Sequence, residues 1–310
     1  MTLVRVGTAF LLGLVVLATV MLSRAPTPTP VPTPTPSSTV RVTSIPALLT
    51  ALANDTVTEI VVANGTYRVS VASTRQANSL WIGAKFAGRT RPVLVRAETT
   101  GGVTFDGGGS TYWVGLAFNG GAHDQTWQGF TFANAEPTQT GVITFGQSGL
   151  GAGWAAPHHI TLRDIKMAGS LTSRYAGSGD HCIYFSQAVG GPHDILIDGY
   201  TVDGSGNINT ALTFYHSTAT EQNAWNVTVR NMTVTGTHQA IEFWDATLRN
   251  IVVEDSTITN ATRYAVRYEV GGTGIVLRRV VSTGSGNGTG FYSSLGKTPP
   301  GVTFEASNLR

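Results

Sequence analysis

The stretch ITLRDIKM at residues 160–167 decides the fold, because its alternation of apolar and polar residues returns along the chain. The same eight-residue pattern reads ILIDGYTV at 195–202, VTVRNMTV at 227–234 and IVVEDSTI at 251–258. A second short apolar segment lies between the copies, for example CIYFSQ at 182–187. Each segment is too short for a helix and alternates with a period of two, which predicts short β-strands. The body of the chain is therefore a series of strand repeats.

The fifth position of the repeat predicts a corner. It holds residues that tolerate a left-handed backbone, namely Gly129, Asp164, Gly199, Asn231 and Asp255. One left-handed residue between two strands turns the chain sharply, so each repeat becomes one coil of strands. Stacked coils give three parallel sheets, which makes the protein an all-β, right-handed parallel β-helix of about eight coils. The side chains expected to point inward are Ile160, Leu162, Ile183, Phe185, Phe214 and Phe243.

The composition excludes several classes of protein. A hydrophobic content of 41% rules out a disordered chain. A net charge of +2 gives no case for nucleic acid as a partner. The single cysteine, Cys182, rules out a disulfide framework and a cysteine-rich zinc site. It stands where other repeats have small residues, so we expect a filler of the core. We also expect a monomer.

The amino terminus predicts export from the cytoplasm. Residues 6–22 carry no charge and are flanked by Arg5 and Arg24, which fits a cleaved signal peptide or a signal anchor. Residues 26–36 read PTPTPVPTPTP, which predicts a stiff polyproline spacer. The domain then works in the extracellular space or at the cell surface, and contacts a membrane only through the first segment. The expected organisation is a targeting segment at 1–25, a linker at 26–44 and the β-helix at 45–310.

The chain resembles the pectin-lyase-like superfamily of right-handed β-helices over residues 45–310. The segment PALLTALA at 46–53 predicts a short amphipathic helix, similar to the one that covers the open end of the core in that superfamily. VLVRAET at 93–99 and VTFDGGG at 103–109 resemble the opening coils of alginate and chondroitin B lyases. That closer resemblance covers about residues 45–135. It implies a lyase acting on a polysaccharide that contains uronic acid.

The functional site is expected on an outward face, because the interior of a β-helix is solid. Long loops at 146–159 and 168–181 flank the second strand of the repeat and predict a trough that suits a polymer. Alternation gives that sheet two outward rows: Thr144, Tyr184, Thr213, Glu242, Arg267 and Tyr292, and beside them Gly146, Ser186, Tyr215, Trp244, Glu269 and Ser294. Tyr184, Tyr215 and Trp244 are then an exposed aromatic strip on which sugar rings can stack.

The arginine in this face points to β-elimination. A uronate loses its C5 proton when a cation neutralises its carboxylate and a base removes the proton. Arg267 is the candidate for either role, with Tyr184, His181, His216 or His238 as its partner. The placement of Arg267 is similar to that of the arginine in alginate and chondroitin B type lyases, although Trp244 stands where that family has a lysine. The resemblance also makes Ca²⁺ a candidate cofactor, held by Glu242 and Glu269.

Two alternatives remain open. The Cβ atoms of Glu242 and Glu269 are expected ~8 Å apart, inside the ~6.5–9.5 Å range of inverting glycoside hydrolases. The other alternative is a non-catalytic module that binds glycan or serves as a structural rod at the cell surface.

The histidines at 158, 159 and 193 are expected to be turn residues bonded to backbone and not metal ligands.

The sequence thus favours a lyase that cleaves a uronic-acid polymer. The candidate catalytic residues are Arg267, Glu242, Glu269 and His181. The candidate substrate-binding residues are Tyr184, Tyr215, Trp244, Tyr292, His216 and Asp245.

Overall fold

The structure is a computed structural model. It describes residues 38–69, 80–82, 89–110, 116–135, 141–146, 155–168, 181–204, 208–215, 222–286, 290–296 and 299–309. The expected targeting segment at 1–25 lies outside these residues. Within them, no helix has the length and apolar character needed to cross a membrane.

The described residues form one helix and 24 strands. The helix is α1 (Ile45–Ala53). The strands are β1 (Ser38–Val42), β2 (Val57–Val62), β3 (Gly65–Arg68), β4 (Leu80–Ile82), β5 (Val93–Ala97), β6 (Val103–Ser110), β7 (Leu116–Phe118), β8 (His123–Gln128), β9 (Phe130–Ala135), β10 (Gly141–Phe145), β11 (His158–Arg163), β12 (Lys166–Ala168), β13 (His181–Phe185), β14 (His193–Asp198), β15 (Thr201–Asp203), β16 (Thr210–Tyr215), β17 (Trp225–Arg230), β18 (Thr233–Thr235), β19 (Gln239–Trp244), β20 (Arg249–Thr259), β21 (Tyr264–Val270), β22 (Thr273–Thr283), β23 (Phe291–Ser293) and β24 (Val302–Glu305).

Every pairing between these strands is parallel. Each strand pairs with the corresponding strand of the next coil, so the chain winds as a parallel β-helix, and the predicted fold class is confirmed. The first face runs from β1 through β2, β5, β8, β11, β14, β17, β20 and β22 to β24. The second face contains β3, β6, β9, β12, β15 and β18. The third face contains β4, β7, β10, β13, β16, β19, β21 and β23.

The first two faces join into one sheet because β20 and β22 run through the corner without a break. The corner between the two faces is formed by the residues that the sequence predicts. Gly129, Asp164, Gly199, Asn231 and Asp255 all have positive φ values, between 50° and 81°. The row of corner residues continues beyond the predicted set to Arg279 and Ala306, with φ of 49° and 50°.

The core is a continuous column of apolar side chains. All six predicted inward residues are fully buried. Rings of Phe118, Phe145, Phe185, Phe214 and Phe243 stack coil upon coil, with 4.6 to 5.2 Å between neighbouring ring centres. Register between strands of the third face is thereby fixed by packing on its inner side. The same register decides which side chains are neighbours on its outer side.

Small residues line the column next to these rings. Cys182 is buried in the row that contains Val142, Ala211, Ala240 and Ala265, as a filler of the core should be.

The first face carries an alternating charge ladder on its outward side. From coil to coil, Arg163 lies opposite Asp198, Asp198 opposite Arg230, Arg230 opposite Glu254, Glu254 opposite Arg278, and Arg278 opposite Glu305. Ion pairs join Arg230 to Asp198 at 2.8 Å and Arg278 to both Glu254 and Glu305 at 3.0 and 2.6 Å. The positive charge of this face is therefore matched by carboxylates in adjacent coils.

A helix covers one end of the described core. α1 starts after Ser44, whose Oγ accepts a hydrogen bond from the backbone N–H of Ala47, and it buries Leu48 and Leu52 against the first coil. The first strand, β1, lies inside the stretch predicted as linker, so the coils begin earlier than expected. At the other end Leu309 is fully buried.

An arginine that the sequence did not single out fixes the end of α1. The guanidinium of Arg89 is buried and donates hydrogen bonds to the backbone carbonyls of Leu52, Asn54, Val57 and Arg91. A cation is favoured there because the last carbonyls of a helix carry partial negative charge.

Candidate functional site

The first outward row of the third face is in the predicted register. Thr144 lies opposite Tyr184, Tyr184 opposite Thr213, Thr213 opposite Glu242, Glu242 opposite Arg267, and Arg267 opposite Tyr292. The structure therefore brings four of the predicted site residues, Tyr184, Glu242, Arg267 and Tyr292, onto one line along successive coils.

The second outward row departs from the prediction after one pair. Tyr215 lies opposite Trp244, as expected. The register between β19 and β21 then shifts between Phe243 and Trp244, so Trp244 pairs with Val270. Trp244 and Glu269 were expected to be opposite each other, and that expectation is wrong. A bulge of this kind inserts an extra residue in one strand and redirects the side chains beside it.

A guanidinium lies at the centre of the site. Arg267 Nη1 donates a hydrogen bond to Glu242 Oε1 at 3.0 Å, and Arg267 Nε donates one to Glu269 Oε1 at 2.5 Å. Arg267 Cζ lies 4.6 Å from the centre of the Trp244 ring, a cation–π contact. Of the three charged side chains, Glu242 is 4% exposed, Glu269 14% and Arg267 18%. We call Glu242, Trp244, Arg267 and Glu269 the Arg267 cluster.

Burial sets the electrostatics of Glu242. Loss of solvent raises the pKa of the Glu242 carboxyl, Arg267 acts in the opposite direction, and the negative charge of Glu269 raises it further. Two carboxylates therefore share one guanidinium in a place with little water.

The aromatic strip is formed by Tyr184, Tyr215 and Trp244, in contact one after another. Ring centres are 6.1 Å apart between Tyr184 and Tyr215, and 5.4 Å apart between Tyr215 and Trp244, the latter pair edge to face. Tyr215 and Trp244 are half-buried. Tyr184 is buried, with 7% of its surface exposed, so it does not offer an open ring as predicted. The accessible part of the strip is its Tyr215–Trp244 end.

The structure adds a second aromatic pair beside the Arg267 cluster. Tyr292 stacks on Tyr264 with 4.6 Å between ring centres, and the guanidinium of Arg263 lies 5.0 Å from the centre of the Tyr264 ring. Tyr264 is in register with Gln239, three residues before the Glu242–Arg267 pair on the same two strands, β19 and β21. Its position in the same strand as Arg267 was the signal that could have identified it.

His181 is part of a buried polar layer under the strip. Its Nδ1 lies 2.7 Å from Thr213 Oγ1, and its ring centre lies 5.1 Å from that of Tyr184. Burial lowers the pKa of His181 to about 3 and raises the pKa of the Tyr184 hydroxyl. At neutral pH both groups are therefore uncharged, His181 as imidazole and Tyr184 as phenol.

Two predicted binding residues lie elsewhere or outside the described chain. Asp245 is buried in a turn directly after β19, where its Oδ1 accepts hydrogen bonds from the backbone N–H and the hydroxyl of Thr247, both at 2.7 Å. His216 lies outside the described residues. So does most of the two loops that were expected to wall a trough.

The acidic pair that the resemblance assigns to Ca²⁺ does not fit that role here. Glu242 and Glu269 both bind the guanidinium of Arg267, which is a cation of the chain itself. In the part of the chain that the structure describes, no group of three or more His, Cys, Asp or Glu side chains could hold a metal ion.

The histidines of the first face form a column. Rings of His123, His158, His193 and Trp225 stack in register with 5.1, 5.1 and 4.3 Å between successive centres. His193 Nδ1 lies 2.8 Å from the backbone oxygen of Gly191, which is the backbone contact that was expected. The expected turn position is wrong, because His158 and His159 lie in β11 and His193 lies in β14. His158 and His159 contact each other, with 2.7 Å between their Nδ1 atoms. The two inner rings, His158 and His193, have a neighbouring ring on both faces and therefore offer no platform for a sugar.

Several solved structures are similar to this chain. A PL6 family alginate lyase, AlyGC, shares 14% identity with a TM-score of 0.47, over 83% of this chain and 40% of its own. A mannuronic acid-specific family 6 lyase from human gut microbiota shares 13% identity with a TM-score of 0.49, over 87% and 59%. A pectate lyase variant from Xanthomonas campestris shares 13% identity with a TM-score of 0.38, over 85% and 82%.

The chain thus spans less than two thirds of the length of AlyGC and of the mannuronic acid-specific lyase. No protein-family model matches the sequence, and no curated protein matches it. The all-parallel sheets fit the pectin-lyase-like superfamily that the sequence resembles.

Proposed function

We propose that this protein is a polysaccharide-active β-helix protein that binds an extended glycan along the Tyr215–Trp244 end of the aromatic strip. The observation that carries the proposal is the contact of these two half-buried rings with each other and with the Arg267 cluster. The C–H face of a sugar ring packs on an aromatic ring, while its hydroxyls need polar partners at the rim. Both kinds of partner are present at this one place.

The direction of the strip favours a polymer over a single sugar. Tyr215, Trp244, Arg267 and Tyr292 lie on four successive coils, which are ~4.8 Å apart. A ligand that contacts all four is therefore extended along the axis of the β-helix.

Binding is tested by replacing one ring of the strip. Trp244→Ala is expected to weaken binding to the recognised polysaccharide at least tenfold, measured as retardation in a gel containing the polymer. Trp225→Ala is the matched control, because it removes a half-buried tryptophan from the histidine column on the first face. Equal affinity of the two variants would contradict the proposal.

A second candidate function is eliminative cleavage of a uronate polymer, as the sequence predicts. It is favoured by the position of Arg267 on the outward row beside the strip. Against it, His181 and Tyr184, two of the three proton-transfer candidates that the structure describes, are held uncharged by burial. Burial and the charges of Arg263 and Arg267 also lower the pKa of the third, His238. Proton transfer is most efficient when the catalytic pKa lies near the working pH. Unsaturated products absorb ultraviolet light, so a rise in absorbance during incubation with alginate or pectate would establish this reaction.

Hydrolysis by Glu242 and Glu269 lacks the space that it needs. An inverting pair holds a glycosidic bond and a water between its carboxyl groups. Here the guanidinium of Arg267 binds both carboxylates. We therefore prefer recognition of a glycan without hydrolysis by this pair. The extracytoplasmic location remains a prediction from the amino-terminal sequence.

A further inference from the structure

We infer that the polysaccharide bound at the strip is uncharged and not a uronate polymer. This inference rests on the proposed function, since it concerns the ligand of the same site. It follows from the number of charged side chains around the strip and from the ion pairs that they already form with one another.

The described residues give the strip no net positive charge. The acidic side chains of this face are Glu242 and Glu269, and the basic ones beside them are Arg263 and Arg267. These charges cancel formally. A uronate polymer brings one further negative charge with every sugar, and like charges brought together in a poorly solvated place repel strongly.

The guanidinium of Arg267, at the centre of the site, already binds other side chains of the protein. Two of the three guanidinium nitrogens of Arg267 donate to Glu242 and Glu269, and its face lies on Trp244. A uronate carboxylate that bound Nε or Nη1 of Arg267 would have to displace a glutamate that is itself nearly buried. One that bound the remaining nitrogen would become a third carboxylate around a single guanidinium, where like charges repel. A sugar hydroxyl needs no such displacement, because it can donate to a carboxylate oxygen or accept from an N–H.

The two histidines that the structure describes near the strip, His181 and His238, add no positive charge at neutral pH. Burial lowers the pKa of His181 to about 3. Burial, together with the positive charges of Arg263 and Arg267, also lowers the pKa of His238.

The other cations of the described chain lie elsewhere. The sequence contains only Lys85, Lys166 and Lys297, and Lys166, the one that is described, belongs to β12 on the second face. Arg163, Arg230 and Arg278 lie in the charge ladder of the first face, opposite Asp198, Glu254 and Glu305. These described cations therefore add no positive charge where the ligand is expected.

The test compares neutral and acidic polymers under one set of conditions. Retardation of the protein is measured in gels containing galactomannan, mixed-linkage β-glucan, xyloglucan, polymannuronate or polygalacturonate, each with EDTA and again with Ca²⁺. We expect at least one neutral polymer to retard the protein and neither uronate polymer to do so. Retardation by a uronate polymer alone, with or without Ca²⁺, would overturn this inference while leaving the proposed function standing. Retardation by none of the five would overturn both.

A charge variant tests the reason directly. Glu269→Gln removes one negative charge while keeping an oxygen that can accept from the Nε–H of Arg267. The affinity for polygalacturonate is therefore expected to rise at least threefold above that of the unchanged protein. Glu305→Gln is the control, because it removes the same charge from the ladder on the first face. If Glu269→Gln gained no more affinity than Glu305→Gln, charge would not be what excludes uronates.

Discussion

The guanidinium of Arg267 packs on the indole of Trp244, with 4.6 Å between Arg267 Cζ and the ring centre, although the two residues are not opposite each other in the sheet. Between these two strands the register shifts after Phe243, so that Val270 lies opposite Trp244. The same guanidinium binds Glu242 and Glu269. Arg267 thus joins two strands through three side chains, and this makes it a structural residue as well as a candidate for ligand binding.

Loss of Arg267 should destabilise the fold. Arg267→Met leaves the Glu242 carboxylate buried without its partner, and breaking a buried pair in this way costs about 3 kcal/mol of unfolding free energy. Adding Glu242→Gln should recover at least half of the loss, as measured by denaturant unfolding. Arg41→Met is the control, since its ion pair with Glu98 is exposed, and it should cause no measurable change. A double variant as unstable as the single one would contradict this account.

Acid should weaken the fold through His181. Its pKa in the folded protein is about 3, well below the 6.5 of an unfolded chain, so the unfolded state binds more protons between these values. Stability from this group is complete above about pH 6.5 and is lost as the pH falls, with the unfolding constant rising about tenfold per pH unit. The raised pKa of Glu242 acts with the opposite sign above pH 4.5.

The contribution of His181 is isolated by comparison with His181→Asn. The variant should show a flatter dependence of unfolding free energy on pH between about 6 and 4 than the unchanged protein does. Parallel curves would show that this imidazole titrates normally.

The stacked phenylalanines should be sensitive to truncation. Phe185 is fully buried between Phe145 and Phe214, with 4.7 and 4.6 Å between ring centres. Phe185→Ala leaves a cavity in the column and should lower the free energy of unfolding by about 3–5 kcal/mol. Val281→Ala, at a side chain that is 42% exposed, should leave the unfolding midpoint within error.

The left-handed corner should show opposite effects for two reciprocal substitutions. Ala306 has a φ of 50°, which is unfavourable for a residue with a Cβ, so Ala306→Gly should stabilise by up to about 1 kcal/mol. Gly199→Ala introduces a Cβ at φ 76° that would lie 2.8 Å from Asp164 Oδ1, and should destabilise by about 1–2 kcal/mol. Thermal unfolding of both variants measures this, and two shifts of the same sign would count against a left-handed corner.

Local rules were sufficient for the coils and for the first outward row. Tolerance of a left-handed backbone is a property of the residue itself, so Asp164, Asn231 and Asp255 could be placed without knowing their neighbours. Alternation within a strand likewise placed Glu242 opposite Arg267. Arg279 shows the limit of the rule, because it adopts the same backbone and is held by two hydrogen bonds to Asp255.

Local rules could not predict features that depend on contacts between a strand and other parts of the chain. Alternation assigns Tyr184 to the outer side but says nothing of whether another part of the chain covers it, and it is buried. The bulge after Phe243 also depends on the pairing of two strands, and the sequence of neither strand alone predicts it. The histidine column did have a signal, since His123, His158 and His193 recur at the interval of 35 residues that separates the coils themselves.

The charge ladder of the first face restricts how this protein can grow. Duplicating a single coil would bring two arginines or two carboxylates side by side on neighbouring strands, where like charges oppose pairing. Duplicating two coils together preserves the alternation. Gene duplication and engineering alike should therefore lengthen this rod most readily in steps of two turns, with an arginine or lysine as the natural residue to follow Glu305.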